Sequence, residues 1–148
     1  GRIVGVTEEL SAQEIYDMGR KVEPFVIAKD TRMGHIHLSV KDSQLASAFY
    51  QEVLELADKF TIPSASWIAS GDYHHHLAVN EWGGKDLAKR EEDMSGLAYY
   101  VLEVEDKEDL IAIAERANNR GAEVKWLSSN ALTFEDNDGI LIRVRKKY

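Results

Sequence analysis

No cysteine occurs among the 148 residues, so the chain has neither a disulfide framework nor a thiolate ligand for a metal. That absence suits a cytoplasmic protein. Basic residues are also short: 18 Lys and Arg stand against 26 Asp and Glu, a formal charge of −8. Nucleic acid needs a basic footprint and an anionic membrane surface needs a polybasic one, so neither is expected as a partner. No apolar run approaches the roughly 20 residues of a membrane helix, and no secretory leader is evident. Proline is scarce, and both copies, Pro24 and Pro63, fall where the periodic patterns break. What is present is an ordinary hydrophobic fraction, 44%, enough for one domain with a real core. The chain opens on Gly1, which we read as the start of a processed chain or of a piece of a longer one.

All five histidines lie in two strand-like stretches, Met33 to Val40 and Gly71 to Asn80. Side chains alternate faces along an extended strand. In the first stretch Ile36, Leu38 and Val40 share an apolar face, leaving His35, His37 and Ser39 on the other. In the second, His75 shares a face with Leu77 and Val79, while His74, His76 and Ala78 share the opposite one. If both strands join one sheet, His35, His37, His74 and His76 converge on one cleft and His75 turns away. Imidazole is the commonest protein ligand for several transition metals, so this cleft is a candidate metal site. Three consecutive histidines also suit a plain polar strand end satisfied by water or backbone.

Residues 1–32 read as a lead-in or inter-domain linker. It holds a short strand at Arg2–Thr7 and a short helix that starts from a Ser11–Glu14 capping box and closes near Gly19. This segment has too few apolar residues for its own core and is expected to pack on the main domain or on a neighbour. From 33 onward, a strand over 34–41 ends at Asp42, a good helix N-cap. A helix follows whose stripe combines Leu45, Phe49 and Val53 with Ala46, Tyr50 and Leu54. Strands are predicted at 58–62, 65–70 and 73–80, punctuated by Pro63-Ser64 and Gly71-Asp72. A loop from Trp82 and the solvated charge run Lys89–Asp93 lead to a second pass. There a strand covers 98–104, Asp106 caps a helix bearing Leu110, Ile113, Ala114 and Ala117, and Gly121 ends it. Strands at 123–127, 132–136 and 140–145 complete it. Asp42 superposes on Asp106 at an offset of 64 residues. The chain is thus a tandem βαβββ repeat, with modules at about 33–82 and 95–148 of a domain spanning 33–148.

The residues His35-x-x-Leu38-x-Val40-x-Asp42 with Ala48-Phe49-Tyr50 resemble the opening of a vicinal oxygen chelate module. That superfamily includes glyoxalase I, bleomycin-resistance proteins and the extradiol dioxygenases. Gly34-His35-Ile36-His37-Leu38, Tyr73-His74-His75-His76 and Asn80-x-Trp82 are more narrowly similar to catechol-2,3-dioxygenase-like proteins. Phe134-x-Asp136-x-Asp138-Gly139 resembles the module's last hairpin. The resemblance implies an α+β fold in which two βαβββ modules pair into an open eight-stranded mixed barrel. It also implies metal ligands from the first and last strand of each module. These positions map to His35, to the His74–His76 run with parity favouring His76, to Tyr99 and to Arg143. Tyr99 stands where a dioxygenase carries histidine, and Arg143 where it carries glutamate.

By the same resemblance the function is extradiol ring cleavage of a catechol in aromatic catabolism. The implied cofactor is Fe(II), with Zn, Ni, Mn or no metal left open. An iron dioxygenase needs two histidines and a carboxylate, and a guanidinium cannot replace that carboxylate. The site is therefore expected to be degenerate, with Glu103 the one substitute carboxylate that strand parity puts beside Tyr99 in the ligand cleft. The expected partners are a small aromatic substrate and an N-terminal domain of the same protein, with homo-oligomer formation left open. The alternative is a non-catalytic small-molecule-binding or structural module, in which Arg143 grips an anionic ligand.

Overall fold

In a computed structural model of the chain, the structure describes residues 9–19, 24, 26–89, 91 and 93–148. The strand expected at Arg2–Thr7 lies outside the described residues. Helix α1, Ala12–Met18, forms as read, with the Ser11 side chain accepting from the Glu14 amide at 3.4 Å. It buries none of its residues.

The first module runs β1 (Ile36–Ser39), α2 (Ser43–Leu54), β2 (Ala57–Ile62), β3 (Ala65–Ala69) and β4 (Leu77–Asn80). The second repeats it as β5 (Tyr100–Val104), α3 (Lys107–Asn119), β6 (Lys125–Ser128), β7 (Ala131–Glu135) and β8 (Leu141–Lys146). Each module folds into one four-stranded mixed sheet, ordered β1-β4-β3-β2 and β5-β8-β7-β6. In both, the first strand pairs in parallel with the last and the other pairings are antiparallel. The tandem βαβββ reading is borne out. The sheets remain two separate four-stranded sheets, open and without closure into a barrel.

The local reasons are legible in the residues. Asp42 accepts from the amides of Gln44 and Leu45 at 3.0 and 2.9 Å, so α2 begins where a carboxylate can satisfy its free N–H groups. Ala46, Phe49, Tyr50 and Val53 bury the inner face of α2. Leu45, placed on that stripe by spacing, lies on its exposed flank instead. The chain leaves α2 through Glu55, a non-glycine residue at φ 54°. At α3, Asp106 occupies the N-cap position without a side-chain hydrogen bond. Acidic Glu108 and Asp109 in the first turn suit the helix dipole there. Gly121, at φ +82°, ends α3 in the left-handed conformation, and the Ala122 amide reaches back to the Ala117 carbonyl at 3.0 Å.

Both modules contribute to one hydrophobic core. Leu38, Leu77 and Val79 from the first sheet and Leu132, Phe134, Ile142 and Val144 from the second join the inner faces of α2 and α3. At about 1.5–3 kcal/mol for each large side chain taken fully from water, this core is the main source of stability. The helices meet across the module boundary, where Arg116 Nε donates to the Val53 carbonyl at 2.9 Å and Arg120 pairs with Glu52 at 3.2 Å. The helix side of each sheet is thereby closed. Its opposite face carries His37 from β1 and Val101 and Glu103 from β5.

Candidate metal centre

Strand β1 alternates as expected, with Leu38 buried and His37 and Ser39 exposed. The second histidine stretch behaves differently. Strand β4 begins only at Leu77, and 70–76 connects it to β3. His76 alone of the triplet is laddered: its amide donates to the Ile68 carbonyl at 2.9 Å and its carbonyl accepts from the Ile36 amide at 3.1 Å. Its ring is occupied too, with Nδ1 accepting from the Ser70 amide at 3.2 Å. His74 and His75, upstream of the ladder, are free of the period-two rule.

The result keeps His74 in the group and exchanges His76 for His75. His35, His74 and His75 bring one ring nitrogen each within 4.8 Å of one another, and among the described residues no carboxylate joins that group. The rings of His35 and His75 have centroids 4.2 Å apart, and those of His74 and His75 are 4.4 Å apart. His37 attaches from the side, its Nε2 lying 3.1 Å from His75 Nε2. His75 is therefore in the cluster and His76 outside it. Tyr73 bridges the two environments, its ring 4.4 Å from His74 and 4.7 Å from His76.

Two rings of the cluster, His37 and His75, are pushed toward the neutral form. Burial, followed by the mutual repulsion of the clustered imidazoles, pushes His75 down to about 4. Burial and then His35 push His37 below the ordinary histidine value. An uncharged imidazole has a free lone pair, so at neutral pH His75 can act as a ligand.

The second module contributes nothing to this group. Arg143 places its guanidinium 3.6 Å over the Tyr99 ring, a cation–π stack, and its Nε is buried without a hydrogen-bond partner among the described residues. Glu103, expected as the substitute carboxylate, is held by Arg145, whose Nε and Nη2 donate to Oε1 at 2.9 and 2.7 Å. The two-histidine, one-carboxylate set that ferrous iron requires is thus not assembled among the described residues. The donors that are assembled suit a divalent metal bound through imidazole.

Two cavities reach histidines near the cluster, and neither is lined by His35, His74 or His75. One of about 620 Å³ is lined by His37, Leu38, Lys41, Leu97 and Ile140 among others. Another of about 470 Å³ takes His76 and Glu103 together with Arg116. The sequence reading also missed a buried polar contact between the modules: the Tyr50 hydroxyl donates to Asp136 Oδ2. The only sequence signal for it was a tyrosine on the apolar stripe of α2.

This βαβββ pair with its histidine cluster can be set against known proteins. Residues 32–144 match the family model of the Glyoxalase/Bleomycin resistance protein/Dioxygenase superfamily. The chain belongs to that superfamily. The catechol-2,3-dioxygenase of Bacillus subtilis (strain 168) is 35% identical over 101 residues, covering 67% of this chain and 35% of that protein. The chain thus spans about a third of the relative's length. Among solved structures, a glyoxylase/bleomycin resistance protein/dioxygenase domain from Frankia sp. EAN1pec superposes with a TM-score of 0.62 at 22% identity, covering 80% of this chain and 98% of that one. The fosfomycin resistance protein FosX from Mesorhizobium loti gives 0.59 at 16%, covering 79% and 92%. At such identities these structures establish likeness of fold, and the fold hosts several activities.

Proposed function

We propose that this superfamily domain is part of a longer, two-domain, catechol-2,3-dioxygenase-like oxidoreductase, and that its own metal position does not cleave rings. The similarity to the Bacillus subtilis dioxygenase over two thirds of the chain supports the class. The chain's share of that protein's length supports a second domain, for which residues 1–32 would be the linker. One observation carries the loss of activity here: Arg143 stacks on Tyr99 at 3.6 Å, where the superfamily resemblance calls for two ligands. In such enzymes ferrous iron supplies chelation of both catechol oxygens and activation of O₂. A fixed cation at the carboxylate's place repels a divalent ion at short range, and Glu103 is already neutralised by Arg145. The domain's own residues would instead shape a cleft for a small aromatic molecule, in the cytoplasm and with oligomerisation compatible. A non-catalytic binding module is the second reading, favoured by an Arg143 that holds no carboxylate of its own.

The test supplies the chain with iron(II), catechol and O₂ and follows the yellow ring-fission product. The expected result is no turnover above protein-free iron. Robust turnover that disappears in His35→Ala would overturn the proposal.

A further inference from the structure

At one end of the seam between the modules lies the cavity of about 470 Å³ that takes in His76. Its walls come from both repeats, Leu54 and Leu56 from the first and Leu102 and Val104 of β5 from the second. These four side chains pack against the core yet are only half-buried. Beneath them Ile113 of α3, 5% exposed, forms the floor. Each Å² of apolar surface left wet costs about 25 cal/mol, so the concavity favours an occupant with an apolar body. Its size falls within the roughly 300–1,000 Å³ of small-molecule sites, which are mostly apolar and common at such boundaries.

The rim decides the charge of that occupant. Glu55, Glu103 and Asp109 stand there with Arg116. His76 adds no positive charge, because a ring that accepts at Nδ1 from the Ser70 amide carries its hydrogen on Nε2 and is neutral. Two of the carboxylates are already answered, Glu55 by Arg116 at 3.4 Å and Glu103 by Arg145 at 2.7 Å. Asp109, in the first turn of α3, has no ion-pair partner among the described residues. An anion, a catecholate or carboxylate included, would meet three carboxylates at this rim, whereas an ammonium group would complete Asp109. We propose that the seam cavity binds a small monoamine, an ammonium group on an alkyl or aryl body. Asp109 holds the charge, and Leu54, Leu102 and Val104 hold the body. The site needs no metal and no ring cleavage, so it stands whichever way the iron assay falls. Because both modules build it, occupancy stabilises the folded chain by mass action.

The experiment records methyl ¹H–¹³C spectra of the unsubstituted full chain as 2-phenylethylamine is added. 2-Phenylethanol and phenylacetate serve as neutral and anionic controls of similar size. The amine is expected to shift the Leu54, Leu102, Val104 and Ile113 methyls saturably, with one site per chain, and to raise the melting temperature. The alcohol should bind about tenfold more weakly or worse, the ratio that one charge-assisted hydrogen bond supplies. Phenylacetate should leave these methyls unmoved. Asp109→Asn should bring the amine down to the affinity of the alcohol and leave the alcohol within about twofold, since it removes charge and keeps the apolar walls. Phenylacetate binding as tightly as the amine would overturn the proposal. So would an amine that shifts Val101 on the opposite face and not these methyls, or no saturable shift at millimolar amine. Cross-peaks from Ile15 or Met18 to the same methyls before any amine is added would give the cavity to the lead-in helix and overturn it equally.

Discussion

Replacing Tyr50 by phenylalanine removes one oxygen and tests how the two modules are joined. Tyr50 lies on α2 of the first module and is fully buried, and its hydroxyl donates to Asp136 at the end of β7 in the second. The other carboxylate oxygen of Asp136 is satisfied by the amides of Asp138 and Ile140 at 2.9 and 2.8 Å. Asp136 is 8% exposed, so in Tyr50→Phe water cannot readily replace the lost donor. Hydrogen bonds to charged groups contribute about 1.5–3 kcal/mol, and an orphaned buried acceptor sits at the upper end. A loss of about 2–3 kcal/mol in urea unfolding at pH 7.5 is expected. The pH dependence adds a second constraint. Burial raises the Asp136 carboxyl above its usual value, against the pull of Tyr50 and the two backbone amides. A group raised in the folded state contributes stability below its unfolded pKa and loses it as pH rises through the folded one. Removing Tyr50 raises the folded value further, so the variant's deficit must grow from acid toward neutral pH. A deficit below about 0.5 kcal/mol at pH 7.5, or one that grows on acidification, would refute the reasoning.

Two further substitutions probe the framework. Phe49→Ala, at a position 1% exposed and in ring contact with Tyr50 and Phe134, should cost about 3–5 kcal/mol in the same assay. A cost below about 1 kcal/mol would mean that the shared core is not where stability resides. Glu55→Gly should stabilise by up to about 1 kcal/mol, because φ 54° is strained for a side chain and natural for glycine. The exposed Glu55–Arg116 pair it removes, at 3.4 Å, offsets little of that. A lower melting temperature for this variant would contradict the strain argument.

The fold was legible because each signal in the chain agreed with its neighbours. Asp42 and Asp106 each precede a helix, Gly121 supplies the left-handed exit, and the buried faces of Phe49/Val53 and Leu110/Ile113/Ala117 keep helical spacing. Such features are local, and local propensity that matches the global pattern can be read from one sequence. One residue on the helical stripe departs from the reading. Leu45 satisfies helical spacing yet is 59% exposed, because the width of a buried stripe depends on what packs against it. The pairing of two open four-stranded sheets follows the tandem repeat, each module supplying one.

The histidine triplet failed for a more instructive reason. Period-two alternation is a property of a laddered strand, not of a stretch rich in β-formers. Its apolar anchors, Leu77 and Val79, begin after the triplet, and everything from Ser70 to His76 is polar, small or aromatic with a polar tip. The register confirms where the rule starts: Ile36 stands opposite Leu77 and His37 opposite Ala78, so the face shared by His37 and Ala78 is real. One step upstream, the ladder ends at the His76 carbonyl and its ring turns to Ser70. Extending alternation across that boundary placed His76 in the cluster and His75 out of it, opposite to the structure. The apolar anchor, not the first polar residue of interest, marks where alternation can be applied. By that criterion His74 and His75 belong to a loop, whose side chains are placed by what they meet. What they meet is His37, which alternation does place on the outward-facing surface of β1, and His35, the residue just before that strand.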